Sequence, residues 1–289
     1  MIHRRNRAVY RRVLLGLGLV GWLVFGGCRD KPAGDPEEHL KRGLAYAKQG
    51  QYDLAISELT KAIEIDPGYA QAYGNRGIAY IGKGQYDRAI SDFSKVIDMN
   101  PRDARAYDYR GAAYAAKGLL DQAISDYTKA IEIYPRHALA YKNRGLAYYD
   151  KGDHDSAIAD CTKGIEIDPN YTLAYNNRGL AYNSKGEHDR AISDYNKAVE
   201  IEPGYADAYY NRGNAYSSKG EYDQAISDYT KALDVNPEFA LAYNNRAIAY
   251  YRQGEYDKAW EDVHKAQSLE YQVHPGFIEA LREASGREE

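Results

Sequence analysis

The sequence predicts an all-α solenoid: seven stacked two-helix units closed by a short C-terminal helix. Three observations carry the prediction. From Pro36 onward the chain repeats every 34 residues, with prolines at 67, 101, 135, 169, 203 and 237 and glycines at 50, 84, 118, 152, 186, 220 and 254. A period of that length marks units that bury their apolar faces only by stacking on one another. Within each period, small and apolar residues fall at helical spacing twice, with a glycine between the two runs and, in six units, a proline after the second. The aromatic composition agrees: 30 Tyr against 4 Phe and 2 Trp is what one motif copied many times produces.

The first element is not part of the array. MIHRRNRAVYRR is basic, and Val13–Gly27 is an apolar run of 15 residues. A bilayer-spanning helix needs about 20 apolar residues, so the run suits the core of a secretion signal better than a permanent span. It ends at Cys28, with Gly26 and Gly27 before it and the polar stretch RDKPAGDP after it. Apolar run, small residues and then cysteine resembles a bacterial lipoprotein signal. The resemblance implies that residues 1–27 are removed, that Cys28 carries the lipid and that 28–35 are a tether of at most about 25–30 Å. Phe25 stands where that pattern has Leu, Val or Ile. The alternative is an uncleaved anchor in the inner membrane. Arg29, where an Asp would favour inner-membrane retention, points to the outer membrane and a periplasm-facing protein.

The units run 36–69, 70–103, 104–137, 138–171, 172–205, 206–239 and 240–273. In 172–205, Tyr175, Gly179 and Tyr182 form one stripe of a first helix, and Gly186 is suited to end it in the left-handed conformation. Asp189 is expected to cap the second helix, whose stripe is Ala191, Tyr195, Ala198 and Val199. An Asp stands at that place in every unit: 53, 87, 121, 155, 189, 223 and 257. After the last unit, Pro275 can open a helix with Phe277, Ile278, Leu281 and Ala284 on one side.

This 34-residue pattern of aromatic, Gly, Tyr, Ala, aromatic, Ala and Pro resembles the tetratricopeptide repeat family over residues 36–273. The first unit departs with His39 for Tyr, and the last with Ala247 for Gly and Tyr271 for Pro. The resemblance implies a superhelix of seven helix hairpins with a solvating C-terminal helix, and a concave groove that holds partner polypeptides.

Arg178 borders the packing stripe of its helix rather than open solvent. An arginine recurs there in every unit, always with a carboxylate 16 residues later: Arg42–Glu58, Arg76–Asp92, Arg110–Asp126, Arg144–Asp160, Arg178–Asp194, Arg212–Asp228 and Arg246–Asp262. The coupling predicts an ion pair that clamps each hairpin.

Asn177 lies nearly opposite that stripe, and its place holds Asn75, Asn143, Asn211 and Asn245, with Lys41 and Tyr109 as exceptions. Leu139, Leu173, Asp207 and Leu241 share the face, as do Leu146, Leu180, Asn214 and Ile248, with Tyr149, Tyr210 and Tyr251 beyond. An amide offers donors and an acceptor, so a ladder of them is expected to bond the backbone of an extended peptide, while Leu and Tyr supply apolar pockets. In the family the matching face lines the groove, and the expected footprint covers 138–251. The family's carboxylate clamp for chaperone tails is not expected, because Lys142 is followed four residues on by Leu146 rather than Asn.

The formal charge of −4 becomes −9 once the five arginines of residues 1–27 are set aside, which argues against nucleic acid as a partner. His154 and His188 replace a recurrent Tyr, and Cys161 replaces a core Tyr. No metal site, cofactor site or nucleophile–base arrangement stands out. The reading is a non-catalytic, membrane-tethered interaction scaffold of the bacterial envelope. The alternatives are a self-associating array, or a subunit that positions an envelope enzyme.

Overall fold

Fifteen α-helices and their connecting turns make up residues 34–287, the part of the chain that the structure, a computed structural model, describes. Each 34-residue period holds one pair. The first helices are α1 (Pro36–Lys48), α3 (Ala70–Gly82), α5 (Ala104–Ala116), α7 (Ala138–Lys151), α9 (Thr172–Ser184), α11 (Ala206–Ser218) and α13 (Ala240–Arg252). The second helices are α2 (Tyr52–Ile65), α4 (Tyr86–Met99), α6 (Leu120–Ile133), α8 (His154–Ile167), α10 (His188–Ile201), α12 (Tyr222–Val235) and α14 (Tyr256–Ser268), followed by α15 (Pro275–Ser285). The chain divides into two units, Met1–Gly152 and Asp153–Glu289, so the fourth period gives its first helix to one and its second helix to the other.

In the first unit α1/α2, α3/α4 and α5/α6 are antiparallel hairpins, each second helix packing on the next first helix as far as α7. In the second unit α8 packs on α9, hairpins α9/α10, α11/α12 and α13/α14 follow, and α15 covers α14. Close approach inside a hairpin depends on glycine. A Cβ on Gly77 would stand 2.8 Å from the Phe93 ring, one on Gly179 2.6 Å from Tyr195, and one on Gly213 2.7 Å from Tyr229. The last hairpin has Ala247 in that place, and its opposite residue is the smaller Val263, both fully buried. The smaller partner leaves room for the added methyl group.

The first helices end as expected: Gly186 takes φ 77° and the Glu187 N–H reaches back to the Tyr182 carbonyl at 2.9 Å, closing a Schellman turn. The start of the second helices differs from expectation. Asp189 and its equivalents lie in the first turn, one or two residues inside the helix, and α10 begins after Glu187 with no side-chain cap. Among the second helices only α8 has one, from Asp153 to the Ser156 N–H at 3.1 Å. The aspartates instead favour the positive end of the helix and bond forward to a residue 30 positions on. Asp155 meets Lys185 at 2.6 Å, Asp189 meets Lys219 at 2.8 Å and Asp257 meets Arg287 at 2.6 Å, while Asp53, Asp87 and Asp121 pair with Lys83, Lys117 and Lys151.

The arginine clamp is present in the six couples that lie within one unit. Arg76 Nε and an Nη donate to both carboxylate oxygens of Asp92 at 2.8 and 2.9 Å, and Arg178 holds Asp194 the same way at 2.8 and 2.7 Å. A third bond was not expected from the sequence. The remaining Nη donates to the residue 16 positions earlier, in the preceding period: Arg76 to Thr60, Arg110 to Ser94, Arg144 to Thr128 and Arg178 to Thr162. Each of these guanidiniums also lies over the tyrosine three residues before it. The arginine therefore joins two periods as well as two helices.

In the closing helix Leu281 is fully buried, and Phe277 and Ile278 pack partly against α14. Ala284, placed on the same stripe by the sequence, is exposed. Where Tyr271 replaces the proline, the turn changes, and Glu270 takes the left-handed φ of 59°.

Candidate functional site

The face opposite the clamp is built by the first helices alone. In the first unit α1, α3, α5 and α7 lie side by side; in the second, α9, α11 and α13 do. Along each helix the residues placed at the second and ninth positions point away from the hairpin partner. In the second unit these are Leu173 and Leu180, Asp207 and Asn214, and Leu241 and Ile248, all half-buried. In the first unit Leu139 is half-buried and Leu146 is buried against the core that includes Tyr127. Tyr149 packs partly on that core, Tyr210 is buried against Phe239, and Tyr251 packs on Tyr256 and Phe277.

The asparagines expected to meet a peptide are less open to solvent than the sequence reading implies. Asn75, Asn143, Asn177 and Asn211 are buried and Asn245 is half-buried. Helical geometry turns them away from their own hairpin, and Asn143, Asn211 and Asn245 reach the preceding first helix. Their amides are largely consumed there. Asn143 Nδ2 donates to Asp108 Oδ1 at 3.0 Å, and Asn211 Nδ2 donates to Asn176 Oδ1 at 2.9 Å. Asn245 Nδ2 donates to Tyr210 Oη at 3.0 Å and to Asn214 Oδ1 at 2.9 Å, and Asn214 Oδ1 also accepts from the core Tyr229 hydroxyl at 2.9 Å. Each main bond runs back 35 residues, from one first helix to the one before. Asn75 has Leu40 at that distance, and its amide turns instead to the Gln71 carbonyl of its own helix at 2.7 Å.

The network in the first unit includes charge. Lys142 is wholly buried and donates to Asn143 Oδ1 at 2.5 Å, so Asn143 links its ammonium to the buried Asp108 carboxyl. Burial pushes Asp108 up, opposed by His137, Asn143 and Lys142. The same burial, with Asp108 beside it, pushes the Tyr109 hydroxyl up to about 12. His137 caps α7 through Nδ1, which accepts from the Ala140 N–H at 3.2 Å. A buried polar chain of this kind fixes the register of neighbouring helices.

Family models described as tetratricopeptide repeat match residues 138–171 and 206–239, 75–136, and 161–193 and 228–261, and a TPR repeat model matches 43–84 and 179–219. Together they leave little of the array unmatched. The chain belongs to the tetratricopeptide repeat family. No curated protein matches this tetratricopeptide protein significantly. Among solved structures, MamA is 32% identical over 57% of this chain and 96% of its own, with a TM-score of 0.52. YrrB, described as a TPR protein with an unusual peptide-binding site, is 27% identical over 64% of this chain and 95% of its own, with a TM-score of 0.50. A tetratricopeptide repeat protein from Parabacteroides merdae is 21% identical over 87% of this chain and 99% of its own, and shares the fold with a TM-score of 0.67.

In the second unit this face of the tetratricopeptide array carries Leu173, Leu180, Leu241 and Ile248 beside the polar Asp207 and Asn214. Cys161 is buried, and His188 Nδ1 pairs with Asn183 Oδ1 at 2.7 Å. Among the described residues no cluster of His, Cys, Asp or Glu is placed to hold a metal ion, and no helix is long and apolar enough to cross a membrane. Cys28 and the Val13–Gly27 run lie outside the described residues. The sequence did hold a signal for the buried network: polar residues 35 apart, as in Asp108/Asn143, Asn176/Asn211 and Tyr210/Asn245.

Proposed function

We propose that this tetratricopeptide protein is a non-catalytic interaction scaffold that docks a partner polypeptide on the exposed face of its first helices. One observation carries the reading. Leu173, Leu180, Leu241 and Ile248 stay half-exposed on adjacent or near-adjacent helices, while the amides between them are already bonded to one another. Apolar side chains held on a rigid, internally satisfied frame are suited to bury a partner's side chains at low ordering cost. Members of the family act as protein-interaction scaffolds, and the peptide-binding site described for YrrB supports the assignment.

The setting we assign is the bacterial envelope, most simply the periplasmic side of the outer membrane, with lipidated Cys28 as the tether. The basic n-region, the 15-residue apolar run and the cysteine after two glycines support it. Capture from envelope extract tests the docking: Leu173→Ser with Leu241→Ser should fold normally and lose the partners that the wild-type chain retains. Equal capture by both would overturn the face assignment. Incorporated acyl label should vanish in Cys28→Ala, and label retained in that variant would remove the tether.

A further inference from the structure

We infer that the edge of the first unit from which the tether leaves is itself a membrane-contacting surface, which rests on anionic lipid through Met99, Arg102, Tyr134 and Arg136. The inference depends on the lipid tether proposed above and assigns what the array meets at the membrane.

The place follows from topology. The first helices α1, α3, α5 and α7 lie side by side, so Pro36, Ala70, Ala104 and Ala138, where they begin, share one edge. The turns that lead into α3, α5 and α7, around Pro67, Pro101 and Pro135, lie along it. Residues 1–33 join the array at this same edge, since Asp35 caps the start of α1. Packed helices stand about 10 Å apart, so the second and third turns lie roughly 20 and 30 Å from that junction. A tether of at most about 25–30 Å keeps both within reach of the bilayer surface.

The chemistry of these two turns sets them apart. The turns around Pro67, Pro169, Pro203 and Pro237 each hold one acid, Asp66, Asp168, Glu202 or Glu238, and no base. The turn around Pro101 has Arg102, and its acid, Asp103, is engaged in accepting the Arg105 and Ala106 N–H groups at 3.0 and 3.1 Å. The turn around Pro135 has Arg136 and no acid. Both arginines are exposed, and neither forms an ion pair among the described residues. Apolar side chains stand open beside them: Met99 is 40% exposed and Tyr134 54%. Val235 is similarly open in the second unit, but Glu238 follows it where Arg102 follows Met99.

Tyr134 does not serve its own turn. In four of the other five proline turns an Asp or Asn in its place accepts the N–H two residues on, as Asp66 does from Gly68 at 2.9 Å. A tyrosine cannot make that bond, and its ring meets His137 edge-on while staying largely in solvent. A phenol ring, a flexible thioether and two guanidiniums suit the boundary between headgroups and acyl chains. Lipid phosphate draws the arginines, and Met99 and Tyr134 gain by leaving water. An acidic protein would satisfy the same arginines, but the junction with the tether at this edge decides for lipid.

The test is hydroxyl-radical footprinting of the full chain, extracted from membrane and reconstituted with vesicles of phosphatidylcholine alone or with added phosphatidylglycerol. Flotation with the neutral vesicles reports the tether. Oxidation of Met99 and Tyr134, read by mass spectrometry against exposed Leu54 as control, reports the edge. Phosphatidylglycerol should slow oxidation at Met99 and Tyr134 about fivefold or more and leave Leu54 unchanged. Arg102→Ser with Arg136→Ser should restore the rate seen on neutral vesicles, since each arginine contributes about fivefold to binding. Equal rates on both vesicles in a chain that floats would overturn the membrane edge, leave the tether standing and turn the arginines over to an acidic protein. Shielding on anionic vesicles by a chain that does not float with neutral ones would support the edge and overturn the tether. A chain that neither floats nor is shielded loses both.

Discussion

Removing Asp92 should destabilise the chain far more than its surface-like sequence context suggests. The Asp92 side chain is 6% exposed and that of Arg76 is 15% exposed, and the two share a bidentate contact at 2.8 and 2.9 Å. Asp92→Ala leaves the guanidinium desolvated, with Thr60 at 3.0 Å and the Tyr73 and Tyr80 rings as its remaining contacts. An uncompensated buried charge of this kind costs about 3–5 kcal/mol, and Arg76→Met, which strands the carboxylate, costs about as much. Yet the intact pair is not a large net stabiliser. Burial pushes the Asp92 carboxyl up in spite of the arginine, whereas burial of the Arg76 guanidinium is overcome by its bond to Asp92, so desolvation and attraction largely offset across the pair. The double variant Arg76→Met with Asp92→Leu should therefore return to within about 1–1.5 kcal/mol of wild type. Urea unfolding of all four proteins, followed by circular dichroism and analysed repeat by repeat, measures the cycle. Single variants that each cost less than about 1 kcal/mol and add within about 0.5 kcal/mol would refute the buried clamp.

Gly179→Ala should cost about 1–3 kcal/mol, because its Cβ would meet the Tyr195 ring at 2.6 Å, and unfolding titration of that variant reads it directly. Asn211→Ala should cost about 1–3 kcal/mol by leaving Asn176 Oδ1 buried without its donor; no loss of stability would show that the amide is not structural. The Glu58 carboxyl is held down at about 2, first by Lys61, which donates to it at 2.7 Å, and then by His39. Because its folded value lies below its unfolded one, its stabilisation is complete above about pH 4.5 and is lost as pH falls toward 2. In Glu58→Gln that portion of the acid-unfolding profile should flatten, which melting temperatures across the range will show.

Much of the fold could be read from local pattern, and the reason is proximity. The positive φ of Gly186, the fit of Gly179 to Tyr195 and the Arg–Asp couples all join residues within one hairpin, where a fixed offset of 16 makes the contact recur visibly. The exchange of Gly for Ala247 alongside Val263 for tyrosine is the same rule at the array's end. The capping aspartates were misplaced by a residue or two. Helix starts are set by backbone bonds such as Ala191 N–H to the Glu187 carbonyl, and a favourable side chain nearby does not determine them.

The candidate site was legible only in part. The helical wheel shows correctly that Asn177 faces away from its own hairpin, and says nothing about the next first helix. The sequence by itself determined the period, the hairpins, the glycine contacts and the charge couples, because each is a short-range consequence of residue type and spacing. Only the tertiary structure decided which polar groups are consumed and which apolar ones remain open. That depends on how closely neighbouring first helices approach, and the approach buried Asn143 and Asn211 while leaving Leu173 and Leu241 within reach of solvent.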